Sequence, residues 1–164
     1  MPQKTLKIAK HLVDKEKDNW TWSDEYVPAE KKLPCTVFCQ RVLKERLGRK
    51  LTTTERQRIN VVVPAQLFPQ MVRNRDIRVA GPVAMIVLGG HGKEIPPGEA
   101  KPGDFVQFWI NGKGHACIIH RLTPNGNGFY YISSNKSTNG PGVGAKAISF
   151  KEQSNKKVWI ARLD

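Results

Sequence analysis

The chain has 164 residues, of which 39% are hydrophobic, and its 27 Lys and Arg residues against 14 Asp and Glu residues give a net charge of +13. This length suits one domain, over residues 1–164, around a single core. No run of about 20 apolar residues is available to span a membrane. The positive charge predicts an anionic partner. Because the basic residues are scattered and lack aromatic interleaving, DNA or RNA is not favoured as that partner.

Residues 1–32 are interpreted as a basic leader followed by an irregular segment. Residues 1–14 are basic and amphipathic, but they lack the apolar core and small-residue cleavage site of a secretory signal. We therefore expect synthesis in the cytoplasm without a classical signal peptide. The segment 20–32, rich in Trp, Asp, Glu and Lys, is predicted to be irregular.

Residues 33–100 are predicted to be mainly helical. A helix begins at Cys35, because apolar residues recur at helical spacing over 37–47 and Gly48 is a natural stop. Thr52 to Thr54 can cap a second helix that contains residues 55–59. Pro64 can begin a further helix over 64–72, whereas the apolar run 78–88 is ambiguous between a buried helix and a strand.

Residues 101–164 are predicted to form an antiparallel sheet. Runs typical of strands occur at 105–110, 115–121, 129–134, 147–150 and 157–163, separated by turns rich in Gly and Asn. At this spacing they make a meander of four or five strands. The predicted fold class is therefore α+β, with N-terminal helices packed on a four- to five-stranded antiparallel sheet.

Cys35 is the candidate nucleophile. The three cysteines, Cys35, Cys39 and Cys117, make an odd count, which argues against a disulfide framework. A helix N-terminus lowers the pKa of a thiol, and Cys35 lies in the first turn of the predicted helix. Cys39, one turn later, is interpreted as core packing and Cys117 as a structural thiol. A buried core residue is the alternative interpretation of Cys35.

His115 is the candidate base, because it follows a Gly-rich turn and opens an apolar strand whose face can meet the helix end. The next strand runs antiparallel beside it, so the far end of that strand brings Ser133, Ser134 or Asn135 opposite His115. Asn135 is preferred as the orienting group, since its side-chain oxygen can accept from the imidazole ring. A structural histidine at a strand edge is the alternative.

The remaining polar residues have plainer interpretations. His91 lies in a Gly-rich loop and is predicted to be exposed, with a loop over the cleft as the alternative, and His120 is predicted to be structural. Asp104 is expected to serve a turn. Zinc held by cysteines and histidines is the main chemical alternative, but no Cys-x-x-Cys or His-x-x-x-His pair is present. We therefore predict no metal and no other cofactor.

Two consecutive strand sequences resemble a known family. Lys101 to Trp109 (KPGDFVQFW), followed by Gly114 to Ile119 (GHACII), resemble the Pro-Gly-Asp strand and the Gly-His strand of the NlpC and CHAP cell-wall hydrolases. The order of cysteine helix, Pro-Gly-Asp turn, histidine strand and a strand ending in Asn135 also resembles theirs. The resemblance covers 34–48 and 101–135. Around the nucleophile the chain departs from the family, with Pro-Cys-Thr-Val where relatives commonly have Asp-Cys-Ser-Gly.

The resemblance implies a papain-like fold with Cys35, His115 and Asn135 as the catalytic set. The backbone N–H of Cys35 would supply part of the oxyanion site. Tyr26 is similar to the family's upstream aromatic hydroxyl, and Thr36 and Ser134 are further candidates to contact the substrate or the oxyanion.

The implied function is a cysteine peptidase or amidase that cleaves amide bonds of bacterial peptidoglycan in the periplasm or cell wall, as an endogenous enzyme, a lysin or a secreted antibacterial effector. Expected partners are peptidoglycan or other anionic wall material and an acidic immunity or inhibitor protein. One alternative is a transferase of the same fold, and the other is a basic, non-catalytic module of the same fold that binds nucleic acid or wall polymer.

Overall fold

A computed structural model of the protein describes residues 2–60, 70, 81–111, 113–153 and 156–164, and of residues 57–60 it describes the backbone only. The α-helices bounded within these residues are α1 (Pro2–Glu16), α2 (Cys35–Leu47), α3 (Thr53–Asn60) and α4 (Pro82–Leu88). The helix predicted over 64–72 lies outside the described residues, apart from Gln70, which is helical and exposed. No helix in the described part of the chain is long and apolar enough to cross a membrane.

The predicted helix at Cys35 is confirmed as α2. Pro34 at its N-cap has an extended backbone, and Gly48 at its C-cap takes a φ of 67°, a left-handed conformation that costs glycine little. The buried side chains of α2 pack against α1 and the central strands of the sheet. The start and end of α2 are therefore set by the residues that the sequence supplies there.

Two further helices follow from local sequence. The predicted cap at Thr52 is confirmed, because its Oγ1 accepts from the Glu55 N–H at 3.2 Å and the Glu55 carboxylate accepts from the Thr52 N–H at 2.8 Å. This reciprocal pair is a capping box and fixes the start of α3. The ambiguous run 78–88 forms α4 from Pro82 onwards, with proline in the first turn where its missing N–H is not needed.

The beginning of the chain, interpreted above as a leader, is helical. Helix α1 buries Thr5, Ala9 and Leu12 and packs against α2. These residues recur at helical spacing on one face, so the segment contributes to the core of the domain.

The structure is a mixed α+β fold with a large antiparallel sheet. Its strands are β3 (Gly92–Glu94), β4 (Phe105–Ile110), β5 (Lys113–Leu122), β6 (Gly128–Asn135), β7 (Gly140–Val143), β8 (Ile148–Ser149) and β9 (Lys156–Leu163). The order is β3-β9-β4-β5-β6-β7, with β8 beside β6. Strands β4 to β7 are consecutive neighbours, as in the predicted meander, whereas β9 returns to the other side of β4. Two further strands, β1 (Thr21–Trp22) and β2 (Lys32–Leu33), form a separate parallel pair.

The expectation of four or five strands is too low for the large sheet, which has seven strands in the described residues. All five predicted runs form strands, and β3 and β7 are additional. Strand β7 has the sequence Gly-Pro-Gly-Val, which lacks the β-branched and aromatic residues that favour strands. Its conformation is set by pairing with β6, from Ile132↔Val143 to Asn135↔Gly140.

Both faces of the sheet are buried. Phe105 and Trp109 of β4 belong to the larger core between the sheet and the helices, whereas Val106 and Phe108 belong to a smaller core on the opposite face. This alternation is the period of two expected of a strand. The N-terminal end of α2 lies against the first residues of β5, where the candidate nucleophile and base meet.

Candidate active site

Cys35 lies at the start of α2, where backbone donors are available. The first helical hydrogen bond into this turn runs from the Phe38 N–H to the Pro34 carbonyl at 3.2 Å, so the N–H groups of residues 35–37 have no partner within the helix. The Cys35 sulfur accepts one of them, from Thr36. The thiol is partly exposed and lines a cleft.

A gap between β5 and β6 lets the sulfur approach the sheet. The register of the two strands begins at Ile118↔Ile132, so Ala116, which is paired with Gln107 of β4, lies beyond the part of β5 that pairs with β6. The backbone groups of Ala116 bind side chains instead of the β6 backbone. The Ala116 carbonyl accepts from Ser133 Oγ at 2.7 Å, and the Ala116 N–H donates to the Cys35 sulfur. The thiol therefore receives hydrogen bonds from both the helix and the sheet.

His115 is hydrogen-bonded to both Cys35 and Asn135. Its Nε2 lies 3.2 Å from Asn135 Oδ1, as the antiparallel pairing of β5 and β6 predicts, and its other contact is with the Cys35 thiol. Asn135 Nδ2 donates to the carbonyls of Ser133 at 3.0 Å and Gly142 at 2.9 Å, which fixes the orientation of the amide. Because Oδ1 can only accept, the proton of the neutral ring resides on Nε2, and Nδ1 is left to exchange a proton with Cys35.

Two aromatic rings enclose the imidazole. The ring centroids of Phe108 and Tyr131 each lie 5.3 Å from that of His115, at interplanar angles of 55° and 64°. Glycine is required behind Tyr131, since a Cβ at Gly144 would lie 2.4 Å from Tyr131 Cζ. The packed rings restrict the imidazole to the plane in which it reaches its two polar partners.

The environment shifts the thiol and the imidazole toward an ion pair. Burial is the largest influence on the Cys35 thiol and opposes ionisation, but the His115 charge and hydrogen bond, with the Ala116 and Thr36 N–H groups, outweigh it and lower the pKa of Cys35. Burial likewise opposes the charged form of His115, whereas Cys35 and the Asn135 oxygen raise the pKa of the imidazole. The opposite shifts favour a thiolate beside an imidazolium.

The other two cysteines have the opposite electrostatic environment. Cys39 and Cys117 are fully buried, and burial, followed by the nearby thiols, raises the pKa of each well above that of an ordinary thiol. Cys39 packs in the larger core and Cys117 in the smaller one. Their positions agree with the predicted packing roles.

Neither models of known protein families nor curated proteins match this sequence.

The open cleft beside Cys35 has a volume of about 910 Å³. One part of the cleft is lined by Trp22, Ser23 and Asp24. Another part is lined by Phe108, Ile110, Asn111, Lys113 and Gly114. Lys136 also lines the cleft, with its Nζ 5.9 Å from the Trp22 ring centroid. The cleft thus offers an aromatic surface and both signs of charge within reach of the thiol.

The three residues predicted to contact the substrate or the oxyanion, Thr36, Ser134 and Tyr26, differ in position. Thr36 lines the cleft next to Cys35. Ser134 is fully buried and donates from Oγ to the Leu33 carbonyl at 2.6 Å, so it anchors the chain just before Cys35 and has no access to a substrate. Tyr26 stacks on Trp20 at a centroid distance of 6.1 Å and lines a different depression. The prediction that Ser134 and Tyr26 contact the substrate or oxyanion in the cleft does not fit these positions.

The other polar residues of interest lie away from the thiol. Asp104 serves the predicted turn, accepting from the Lys101 N–H at 2.8 Å, and it also pairs with Arg162 at 2.7 Å. His91 Nε2 lies 3.0 Å from Glu55 Oε1, so its contact is with α3 rather than with the cleft. The prediction that His91 is exposed is wrong, because its side chain is partly buried against Glu55. This long-range contact was not evident from the loop sequence.

His120 is partly buried at the irregularity between Ile119 and Arg121, where its predicted structural role fits its position. Among the described residues, no group of three or more His, Cys, Asp or Glu side chains is arranged to hold a metal ion.

Sequence reasoning missed the Ala116 N–H and the two rings beside His115. Backbone donors leave no signal in a sequence. For Phe108 a signal existed, because the Asn-Gly pair at 111–112 is typical of a two-residue hairpin turn. Such a turn pairs Ile110 with Lys113 and so puts Phe108 opposite His115, as the structure has them.

Proposed function

We propose that the protein is a papain-like cysteine hydrolase, of the type represented by NlpC and CHAP enzymes, that cleaves amide bonds of bacterial peptidoglycan. The observation that carries the proposal is the hydrogen-bonded series Cys35, His115 and Asn135, with the pKa of the thiol lowered and that of the imidazole raised. A purely structural cysteine has no need of this combination, as Cys39 one turn later illustrates.

In the first half of the reaction, the Cys35 thiolate attacks the carbonyl carbon of the amide and forms a tetrahedral oxyanion. The imidazolium of His115 then donates its Nδ1 proton to the leaving nitrogen, the C–N bond breaks, and a thioester with Cys35 remains. Asn135 keeps the ring in the tautomer and orientation that this transfer needs.

In the second half, neutral His115 takes a proton from water, and the resulting nucleophile attacks the thioester. Collapse of this intermediate releases the carboxylic acid and regenerates the thiolate beside the imidazolium. His115 gives up one proton in the first half and regains one from water in the second. The cycle therefore needs no reactant besides the amide and water.

The oxyanion would be stabilised by the start of α2. Cys35 is the first residue of the helix, where a backbone N–H has no partner within the helix, so this N–H remains available. This donor and the positive end of the helix dipole lie beside the sulfur, where the negative oxygen of a bound acyl group would develop.

Peptidoglycan as substrate rests on the sequence resemblance, the open cleft and the net charge of +13, which attracts an anionic wall. Action in the periplasm or cell wall, as a lysin or an antibacterial effector held by an acidic immunity protein, belongs to the same proposal.

The test compares the unmodified protein, Cys35→Ala and the control Cys117→Ala on purified peptidoglycan, with released fragments identified by mass spectrometry. Loss of the nucleophile should reduce fragment release by about 10⁴-fold or more, whereas Cys117→Ala should retain most activity. The fragment masses also identify the bond that is cleaved. Equal release by the unmodified protein and Cys35→Ala would refute the catalytic proposal and favour a non-catalytic binding module.

A further inference from the structure

A second depression lies on α2, away from the catalytic cleft. Its volume is about 290 Å³, and its polar lining residues are Tyr26, Gln40, Arg41, Lys44, Lys50 and Arg56. Among the described residues that line it, none is acidic. We refer to this group of six residues as the basic depression.

The basic depression and Cys35 are on different sides of α2. Successive residues of an α-helix are rotated by about 100°, so Gln40, Arg41 and Lys44 lie roughly opposite Cys35. A ligand held in the basic depression therefore does not occupy the space beside the thiol, and we treat the depression as a separate site.

Three of its cations have no acidic partner among the described residues. Arg41 is already paired with Glu16 at 2.7 Å. In contrast, none of the ion pairs within the described part of the chain involves Lys44, Lys50 or Arg56. The three side chains line one depression, and no carboxylate of the described residues is paired with them, an arrangement that favours an anionic ligand.

Two of the lining groups are suited to hydrogen bonding with such a ligand. The Arg56 guanidinium is held in position by the Leu51 carbonyl at 2.8 Å and Thr53 Oγ1 at 3.2 Å. The Gln40 Nε2 group is buried and has no hydrogen-bond partner among the described residues. A buried amide donor without an acceptor is unfavourable for the free protein, and a ligand oxygen would satisfy it.

We propose that the basic depression binds phosphate groups of a polyol-phosphate chain. Its charged and amide groups are donors, which matches the several acceptor oxygens of a phosphodiester. Single-stranded nucleic acid is a poorer match, because its bases stack on several aromatic faces, and the described lining of the depression contains a single aromatic ring, that of Tyr26. The Tyr26 ring stacks on Trp20. The Arg41 guanidinium also lies over the Trp20 ring, 4.3 Å from the Trp20 ring centroid.

The test measures binding of poly(glycerol phosphate) fragments by titration calorimetry over a series of salt concentrations. The double variant Lys44→Ala, Lys50→Ala should lose affinity on the order of tenfold, and the slope of log K against log salt should fall by about 0.7 for each lysine removed. Lys151→Ala, which removes an exposed lysine elsewhere, is the matched control and should bind normally.

A second variant, Gln40→Met, tests the buried amide. It keeps the length of the side chain and removes the donor, so it should weaken binding of the polymer without lowering the midpoint of thermal unfolding. Unchanged binding in the double lysine variant would overturn the proposal. Equal affinity for a single-stranded oligonucleotide, lost in the same variants, would replace it with a nucleic-acid site. The binding measurement requires no hydrolysis, so its result is independent of whether Cys35 is catalytic.

Discussion

The first two turns of α2 each carry a cysteine, and the two thiols have opposite chemical environments. Cys35 receives N–H groups from Thr36 and Ala116 and faces His115, and the pKa of its thiol is lowered. Cys39 is fully buried in the larger core, and the pKa of its thiol is raised well above the ordinary value. One turn of helix therefore separates a thiol prepared to ionise from one that remains neutral.

The difference depends on what surrounds each sulfur. The free N–H groups and the dipole of a helix act within its first turn, which contains Cys35 but not Cys39. Burial opposes ionisation of both thiols, and it is the largest influence on each. Only at Cys35 do an imidazolium and backbone donors offset it. A helix start alone is thus insufficient to activate a thiol here, and the sheet residues His115 and Ala116 supply the rest.

Among the variants that test this difference between the two thiols, Asn135→Ala is expected to have the largest effect on the rate of fragment release. Loss of the acceptor oxygen frees the ring orientation and should lower the rate of fragment release by about 10²-fold or more. Asn135 also helps to raise the pKa of His115. In the variant that pKa falls, the imidazolium is lost at a lower pH, and the alkaline limb of the rate profile should move to lower pH. An unchanged rate would contradict the orienting role, and a reduced rate with an unchanged pH profile would contradict the contribution of Asn135 to the pKa of His115.

A smaller effect is expected from Ser134→Ala. The variant leaves the buried Leu33 carbonyl without the hydroxyl that lies 2.6 Å from it, next to the start of α2. The free energy of unfolding, measured with urea, should fall by about 1 to 2 kcal/mol. Ser149→Ala, which changes an exposed serine, is the control and should lie within about 0.5 kcal/mol of the unmodified protein. Equal stability of the two variants would remove Ser134 as an anchor of the Cys35 segment.

The smallest effect on activity is expected from Cys39→Ala. Removal of a fully buried sulfur should cost on the order of 1 kcal/mol of stability, because neighbouring core atoms lose contacts. The rate of fragment release should stay within about twofold of the unmodified protein, since Cys39 takes no part in proton or acyl transfer. A loss of activity as large as that of Cys35→Ala would show that the two thiols are not distinguished in the way proposed.

Local signals predicted the elements that carry the candidate site. The apolar spacing after Cys35 and the stop at Gly48 gave the bounds of α2, and the antiparallel pairing of neighbouring strands predicted that Asn135 lies beside His115. Residues close in sequence, or related by a simple hairpin register, determine these features.

Features that depend on distant partners were not predictable in this way. His91 contacts Glu55, and Asp104 pairs with Arg162, across 36 and 58 positions of sequence respectively. Strand β7 has almost no strand-forming residues and is specified by its neighbour β6. The burial of Ser134 likewise depends on how β6 meets the segment before α2, which no local pattern encodes.

The most direct test of the activated thiol is alkylation by iodoacetamide as a function of pH, with each cysteine followed by peptide mapping. We predict that Cys35 is modified below the pH range of an ordinary thiol, that Cys39 and Cys117 stay unmodified in the folded protein, and that His115→Ala moves the Cys35 profile to higher pH. If Cys35 instead reacts as an ordinary thiol and its profile is the same in His115→Ala, the thiolate and imidazolium pair does not exist.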